Sequence, residues 1–300
     1  MNPSFTGLSA FPLTPLTRDA VDEGAFGGLV RRLAAAGVDS ITALGSTGSY
    51  AYLSPEERAG VARLAVANAG DVPVFVGVGA LRTSDVLRHI DAAEGAGAAG
   101  VLLAPITYQP LTADDVFGLF ETVAGHTGLP VIVYDNPGTT HFTFTTDLYS
   151  DIAALPGIAS IKIPAVPAGP AEARARVAKI RAVIPAHVTI GISGDASAAA
   201  GLAAGCDAWY SVIAGTLPGP ALTITRAVQE ERAADAAAES TRLGPLWELF
   251  QEFGGSLRVV AAVAEQLGFV QGPSLPLPIR GLDTEQRARV ARVLKALDLV

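Results

Sequence analysis

Ile158-Ala159-Ser160-Ile161-Lys162-Ile163-Pro164 is a short apolar run with a lysine inside it, and its reading decides the fold. Isoleucines bounded by a proline fit a strand buried on both faces, as in a parallel sheet. Similar runs begin near Leu8, Ser40, Val74, Gly100, Val131, Val188 and Ala208, and each precedes a longer segment of helical periodicity. Eight strand–helix repeats predict a chain of the α/β class closed as a (β/α)8 TIM barrel rather than an open doubly wound sheet. Helix starts are well marked. Ser54-Pro55-Glu56-Glu57 offers an N-cap, a proline at the first helical position and a capping-box glutamate, while Asp22-Glu23 and Thr112 to Asp115 give similar acidic starts.

The eighth run, Ala208 to Ile213, and a helix from about Pro218 end the barrel near Arg232, so residues 1–232 are read as the barrel. Residues 233–300 are read as an extension of three helices, Ala234 to Glu252, Ser256 to Leu267 and Asp283 to Leu299, with a proline-rich linker, Gly272 to Pro278, between the last two. Half of the 300 residues are hydrophobic, enough for a large core.

A net charge of −8 and the lack of a basic cluster argue against nucleic acid, because nothing is present to displace counterions from a phosphate backbone. Gly95 to Ala113 is uncharged and approaches membrane-span length, but its glycines, Pro105 and Pro110 fit a buried strand and its loop better than a span. Met1 to Leu16 has no basic segment and is interrupted by Pro3, Pro12 and Pro15, so it does not read as a signal peptide. The single cysteine, Cys206, excludes an internal disulfide and a multi-thiolate metal site, and reads as core filler. None of the four histidines has a partner at metal-ligand spacing, so no metal is expected. The expectation is a cytoplasmic enzyme or binding protein acting on a small molecule.

Lys162 carries the chemistry. The chain has three lysines against eighteen arginines, and one of the three lies inside a strand. A buried ammonium is disfavoured, so this residue either sends its head to water or becomes a neutral, nucleophilic amine. Residues just after barrel strands meet at one face. Gly45-Ser46-Thr47-Gly48 follows the second run and can form a small concavity for a carboxylate, although a tight loop of no function has the same pattern. It lacks the lysine of a nucleotide-binding P-loop. Tyr134 ends Val131-Ile132-Val133 at the same face, where its phenol, coupled to Ser46, can relay protons; a tyrosine that merely caps the core looks the same in sequence.

Together with Gly7 to Pro15, Leu53 to Arg58, Gly77-Val78-Gly79, Tyr134-Asp135-Asn136-Pro137, Ile161-Lys162 and Ser193-Gly194-Asp195, these pieces resemble, in order and spacing, the dihydrodipicolinate synthase / N-acetylneuraminate lyase superfamily of Schiff-base-forming class I aldolases. The resemblance covers nearly the whole chain and implies a (β/α)8 barrel with a helical extension, assembled as a homotetramer, a dimer of dimers. It implies that Lys162 forms an imine with a 2-oxo acid, usually pyruvate, and that no cofactor is needed. Tyr134 would move protons, Ser46 would connect it to bulk solvent, and Thr47 with Gly48 and the turn amides would hold the substrate carboxylate.

The departures point at the second substrate. Thr139 stands where many members that use aspartate semialdehyde have an arginine for its carboxylate, and threonine has no guanidinium fork. Ser49-Tyr50 replaces the usual glutamate after the turn, and Ile163-Pro164 follows the lysine where an acidic residue is common. The tyrosine lent across the dimer interface is displaced by one, with Thr107 in its place and Tyr108 next. Thr139, His141, Ser193 and Tyr210 are the candidates for contacting the second substrate, an aldehyde. The expected function is a pyruvate-dependent aldolase or lyase acting on a 4-hydroxy-2-oxo acid. The alternatives are a true 4-hydroxy-tetrahydrodipicolinate synthase, a 2-keto-3-deoxy sugar acid dehydratase and a catalytically weak regulatory paralogue.

Overall fold

The computed structural model describes residues 5–300; Met1 and Pro3, which entered the reading of the amino-terminal run, lie outside them. The eight runs form eight parallel strands: β1 Gly7–Ala10, β2 Ser40–Ala43, β3 Val74–Gly77, β4 Gly100–Leu103, β5 Val131–Tyr134, β6 Ile158–Ile163, β7 Thr189–Ile192 and β8 Ala208–Ser211. They pair in sequence order and close, with β1 bonded to both β2 and β8. Every strand residue is buried, because one face packs on helices and the other fills the barrel.

Alternation along the strands decides which side chains enter the barrel. On β5, Val131 and Val133 join the outer core between sheet and helices, while Ile132 and Tyr134 join the inner cluster. On β6, Ile161 and Ile163 take the outer side, which turns Lys162 inward. The register then sets Tyr134 opposite Lys162 on adjacent strands.

The helix starts agree with the reading. Ser54 and Glu57 form a capping box behind Pro55, Thr112 and Asp115 form another, and Asp22 caps the helix Glu23–Ala36. Two features differ from the sequence reading. A small antiparallel hairpin, Leu16–Thr17 with Ala20–Val21, follows β1, too short to leave a periodic signal. The extension holds four helices instead of three, Ala233–Arg242, Gly244–Glu252, Ser256–Gln266 and Thr284–Ala296. Pro245 has no N–H for an i to i−4 bond, so a continuous helix from 234 to 252 breaks at Leu243-Gly244. The first of the four packs on the last barrel helix, Pro218–Gln229, and buried residues of the extension such as Leu246 and Val263 share one core with the barrel helices. Cys206 is buried in that core, and burial pushes its thiol up to about 12. Among the described residues no helix is long and apolar enough to cross a membrane.

One contact locks the strand ends beneath the site. A β-carbon on Gly77, at the end of β3, would lie 1.8 Å from the Leu44 carbonyl oxygen, so the backbone of the β2 turn rests directly on this glycine. Gly77→Ala should therefore lower stability in chemical denaturation by about 1–3 kcal/mol, the usual cost of forcing a methyl group into a filled core. An unchanged midpoint would contradict this packing.

Candidate active site

The carboxyl ends of the strands open into a cavity of about 480 Å³, with Lys162 on its floor. Lys162 is 4% exposed, and its Nζ lies 4.2 Å from the centre of the Tyr134 ring and 5.4 Å from that of Phe11. The head does not reach bulk water, which excludes the snorkelling alternative. Burial holds the Lys162 ammonium below its ordinary 10.5, and the charges of Tyr134, Asp195 and Asp135 oppose that fall without cancelling it.

Tyr134 is wired from two sides. Its hydroxyl lies 3.2 Å from Ser46 Oγ, and Asn136 Nδ2 donates to it at 2.8 Å. With Asn136 as donor, the phenol oxygen keeps its own proton free for Ser46 or for a ligand. Ser46 and Thr47 belong to a short 3-10 turn, Ser46–Gly48, whose closing bonds run from the Gly48 amide to the Gly45 carbonyl and from the Ser49 amide to the Ser46 carbonyl. Ser46 and Thr47 face the cavity, whereas the Gly48 amide is spent on the turn.

Two buried charged groups brace the frame. Asp195 accepts from Trp209 Nε1 at 3.1 Å, Ser211 Oγ at 3.2 Å and the amides of Val212 and Ile213 at 3.2 and 2.7 Å, tying the β7 turn to the end of β8. Burial still pushes its carboxyl up, against the pull of those donors. Arg58 donates to the carbonyls of Gly77 and Gly79 at 2.9 and 3.0 Å and lies over the Tyr50 ring, and burial lowers it to about 10. That contact fixes Tyr50 as a wall of the cavity.

The predicted site residues therefore divide. Lys162, Tyr134, Ser46, Thr47 and Thr139 all line the cavity. Gly48 is buried behind it, and four candidates lie elsewhere. Tyr210 points into the barrel but lower down, where its hydroxyl donates to Ser160 at 2.7 Å and its ring fills the space above Gly191, which has no side chain. Ser193 donates to the Ile163 carbonyl at 2.7 Å and closes the end of β6. His141 is exposed at the end of the short helix Pro137–Thr140, and Tyr108 is 87% exposed. Sequence reading gave no role to Asn136, Phe11, Tyr52, Leu257 or Ile279, and noted Tyr50 only as a departure from the family pattern; all of them line the cavity. Asn136 sat inside a motif already noted. The residues Leu257 and Ile279 come from the extension, far from Lys162 in sequence, and carry no local signal.

The buried amine makes a thermodynamic prediction. The unfolded lysine binds its proton up to the ordinary 10.5 and the folded one releases it at lower pH, so burial costs most below the lowered value and least above 10.5. Lys162→Met should raise the unfolding midpoint at neutral and acid pH, and this advantage should shrink as pH climbs from the lowered value toward 10.5. A gain that is absent, or that grows with pH, would contradict the assignment; thermal melts across pH measure it.

Comparison with known proteins agrees with this geometry. The model of the dihydrodipicolinate synthetase family matches residues 4–297. A 4-hydroxy-tetrahydrodipicolinate synthase from Salinibacter ruber is 30% identical over 302 residues, covering 98% of this chain and 95% of that enzyme. The match to the corresponding enzyme of Hyphomonas neptunium, 35% identical, is partial and spans 53% of this chain and 54% of that one. Among solved structures, a dihydrodipicolinate synthase from Agrobacterium tumefaciens superposes with a TM-score of 0.94 at 42% identity, covering 98% of both chains. A prophage protein of the dihydrodipicolinic acid synthase family from E. coli K12, solved in complex with pyruvate, gives 0.89 at 26% identity and covers 99% of both. With the barrel, the helical extension and the lysine–tyrosine pair in place, the chain belongs to the dihydrodipicolinate synthetase family, whose members are lyases and synthases.

Proposed function

We propose that the protein is a class I, Schiff-base aldolase that joins pyruvate to an aldehyde, or cleaves a 4-hydroxy-2-oxo acid into the two, with no cofactor beyond its own lysine. The observation that carries this reading is the buried Lys162 amine opposite Tyr134, whose hydroxyl contacts Ser46. A free lysine is neutral in about one molecule in 2,500 at pH 7, and burial raises that fraction.

Neutral Lys162 Nζ attacks the pyruvate carbonyl carbon, Tyr134 gives a proton to the departing oxygen, and water leaves as the iminium forms. The Tyr134 phenolate so formed takes a proton from the methyl carbon, which gives the enamine. That carbon bonds to the aldehyde carbon, the new alkoxide takes a proton through Tyr134, and water then hydrolyses the iminium to free the product and the amine. Thr47, with the turn amides other than those of Gly48 and Ser49, seats the pyruvate carboxylate, and Ser46 links Tyr134 to solvent protons.

Aspartate semialdehyde is a poor fit. Among the described residues Lys162 is the one lysine, arginine or histidine that lines the cavity, and Thr139 occupies the position where the resemblance expects a carboxylate-binding arginine. The synthase activity in the names of several relatives is therefore not carried over. We further propose that the protein works as a homotetramer built from dimers, with exposed Tyr108 and Leu81 buried by a second copy. Borohydride reduction with pyruvate should leave a covalent adduct on Lys162, absent in Lys162→Ala, and Tyr134→Phe should slow turnover by about 10²–10⁴-fold. Intact wild-type protein that gives no adduct by mass spectrometry overturns the proposal.

A further inference from the structure

Resting on that reading of Lys162 as the pyruvate end, we infer that the opposite wall of the cavity is an acceptor subsite for an uncharged aldehyde with a flat apolar body, such as an aromatic aldehyde. Two segments distant in sequence build this wall. The short turn Tyr50–Tyr52 supplies two phenol rings, and the carboxy-terminal extension supplies Leu257 and Ile279.

Asn136 and Thr139 are engaged within the protein, while the Ser49 hydroxyl, which also lines the cavity, has no hydrogen-bond partner among the described residues. The Asn136 amide donates to Tyr134, and the Thr139 hydroxyl turns back toward the Asn136 carbonyl at 3.4 Å. Arg258, next to Leu257, donates to the Arg280 carbonyl at 2.9 Å and lines a separate recess. A carboxylated acceptor would lose its water here with no cation in return, and a polyhydroxylated tail would have only the hydroxyls of Ser49, Tyr50, Tyr52 and Ser256 to replace several lost hydrogen bonds. A ring gains from burial on the tyrosine faces and the two aliphatic side chains. The hydroxyls of Tyr50, Tyr52 and Ser256 are enough for one polar substituent. The cavity, at about 480 Å³, lies in the size range that encloses a ring-bearing ligand as well as a three-carbon acid.

The barrel therefore holds the donor, and the extension selects the acceptor. Arg58, lying over Tyr50 and bonded to the carbonyls of Gly77 and Gly79, keeps the aromatic side of the wall in place.

The test pairs condensation kinetics on pyruvate with binding of benzyl alcohol, an unreactive neutral aromatic probe, read by ligand-observed NMR. The expected kcat/KM for benzaldehyde exceeds those for glyceraldehyde and aspartate semialdehyde by at least about tenfold. Leu257→Ser and Ile279→Ser should raise the benzaldehyde KM and weaken benzyl alcohol binding by about tenfold each. Equal or better turnover of glyceraldehyde or aspartate semialdehyde, or wall variants that leave the benzaldehyde KM unchanged, overturns the inference. Benzyl alcohol that binds at this wall in protein forming no pyruvate adduct upholds the subsite and overturns the imine reading instead; benzyl alcohol that does not bind overturns the subsite.

Discussion

A single amine held out of water is the constraint on which the rest of the molecule depends. Lys162 Nζ sits among the rings of Tyr134 and Phe11 at the carboxyl end of a closed barrel, where the charged form is penalised by burial. An arginine would stay charged there and could not attack a carbonyl. The two acidic neighbours are restrained: Asp195 is surrounded by four donors, and Asp135 accepts from the Tyr149 hydroxyl. Both carboxyls are pushed up by burial, and their pull on the lysine proton does not cancel the effect of burial on Lys162.

The strand register turns this local fact into a site. Inward and outward alternation on β5 and β6 sets Tyr134 opposite Lys162, and the β2 turn brings Ser46 against the phenol. The three residues come from three different strands or strand ends. Their meeting is a property of barrel closure, which is why the contact of Gly77 with the Leu44 carbonyl matters to a site it does not touch.

Much of this was legible in the sequence because it is local. Continuous apolar runs give buried strands, and capping boxes such as Ser54 to Glu57 give helix starts, each within a few residues. What depends on distant packing was not legible. Tyr210 and Ser193 lie at strand ends like Tyr134, yet one drops into the space above Gly191 and the other bonds the Ile163 carbonyl. His141 follows a strand in the same way but turns outward. The break at Pro245 was readable in principle, since a proline inside a long helical pattern marks a boundary. The cavity wall from Leu257 and Ile279 was not, because helical periodicity tells that a face is buried and not against what.

The central claim is the lowered proton affinity of Lys162. The rate of acylation of Lys162 by a small reagent, followed by peptide mass spectrometry across pH, reads that affinity directly. A Lys162 curve with its midpoint clearly below the ordinary 10.5 agrees with the account. A Lys162 midpoint at or above the ordinary 10.5 contradicts it.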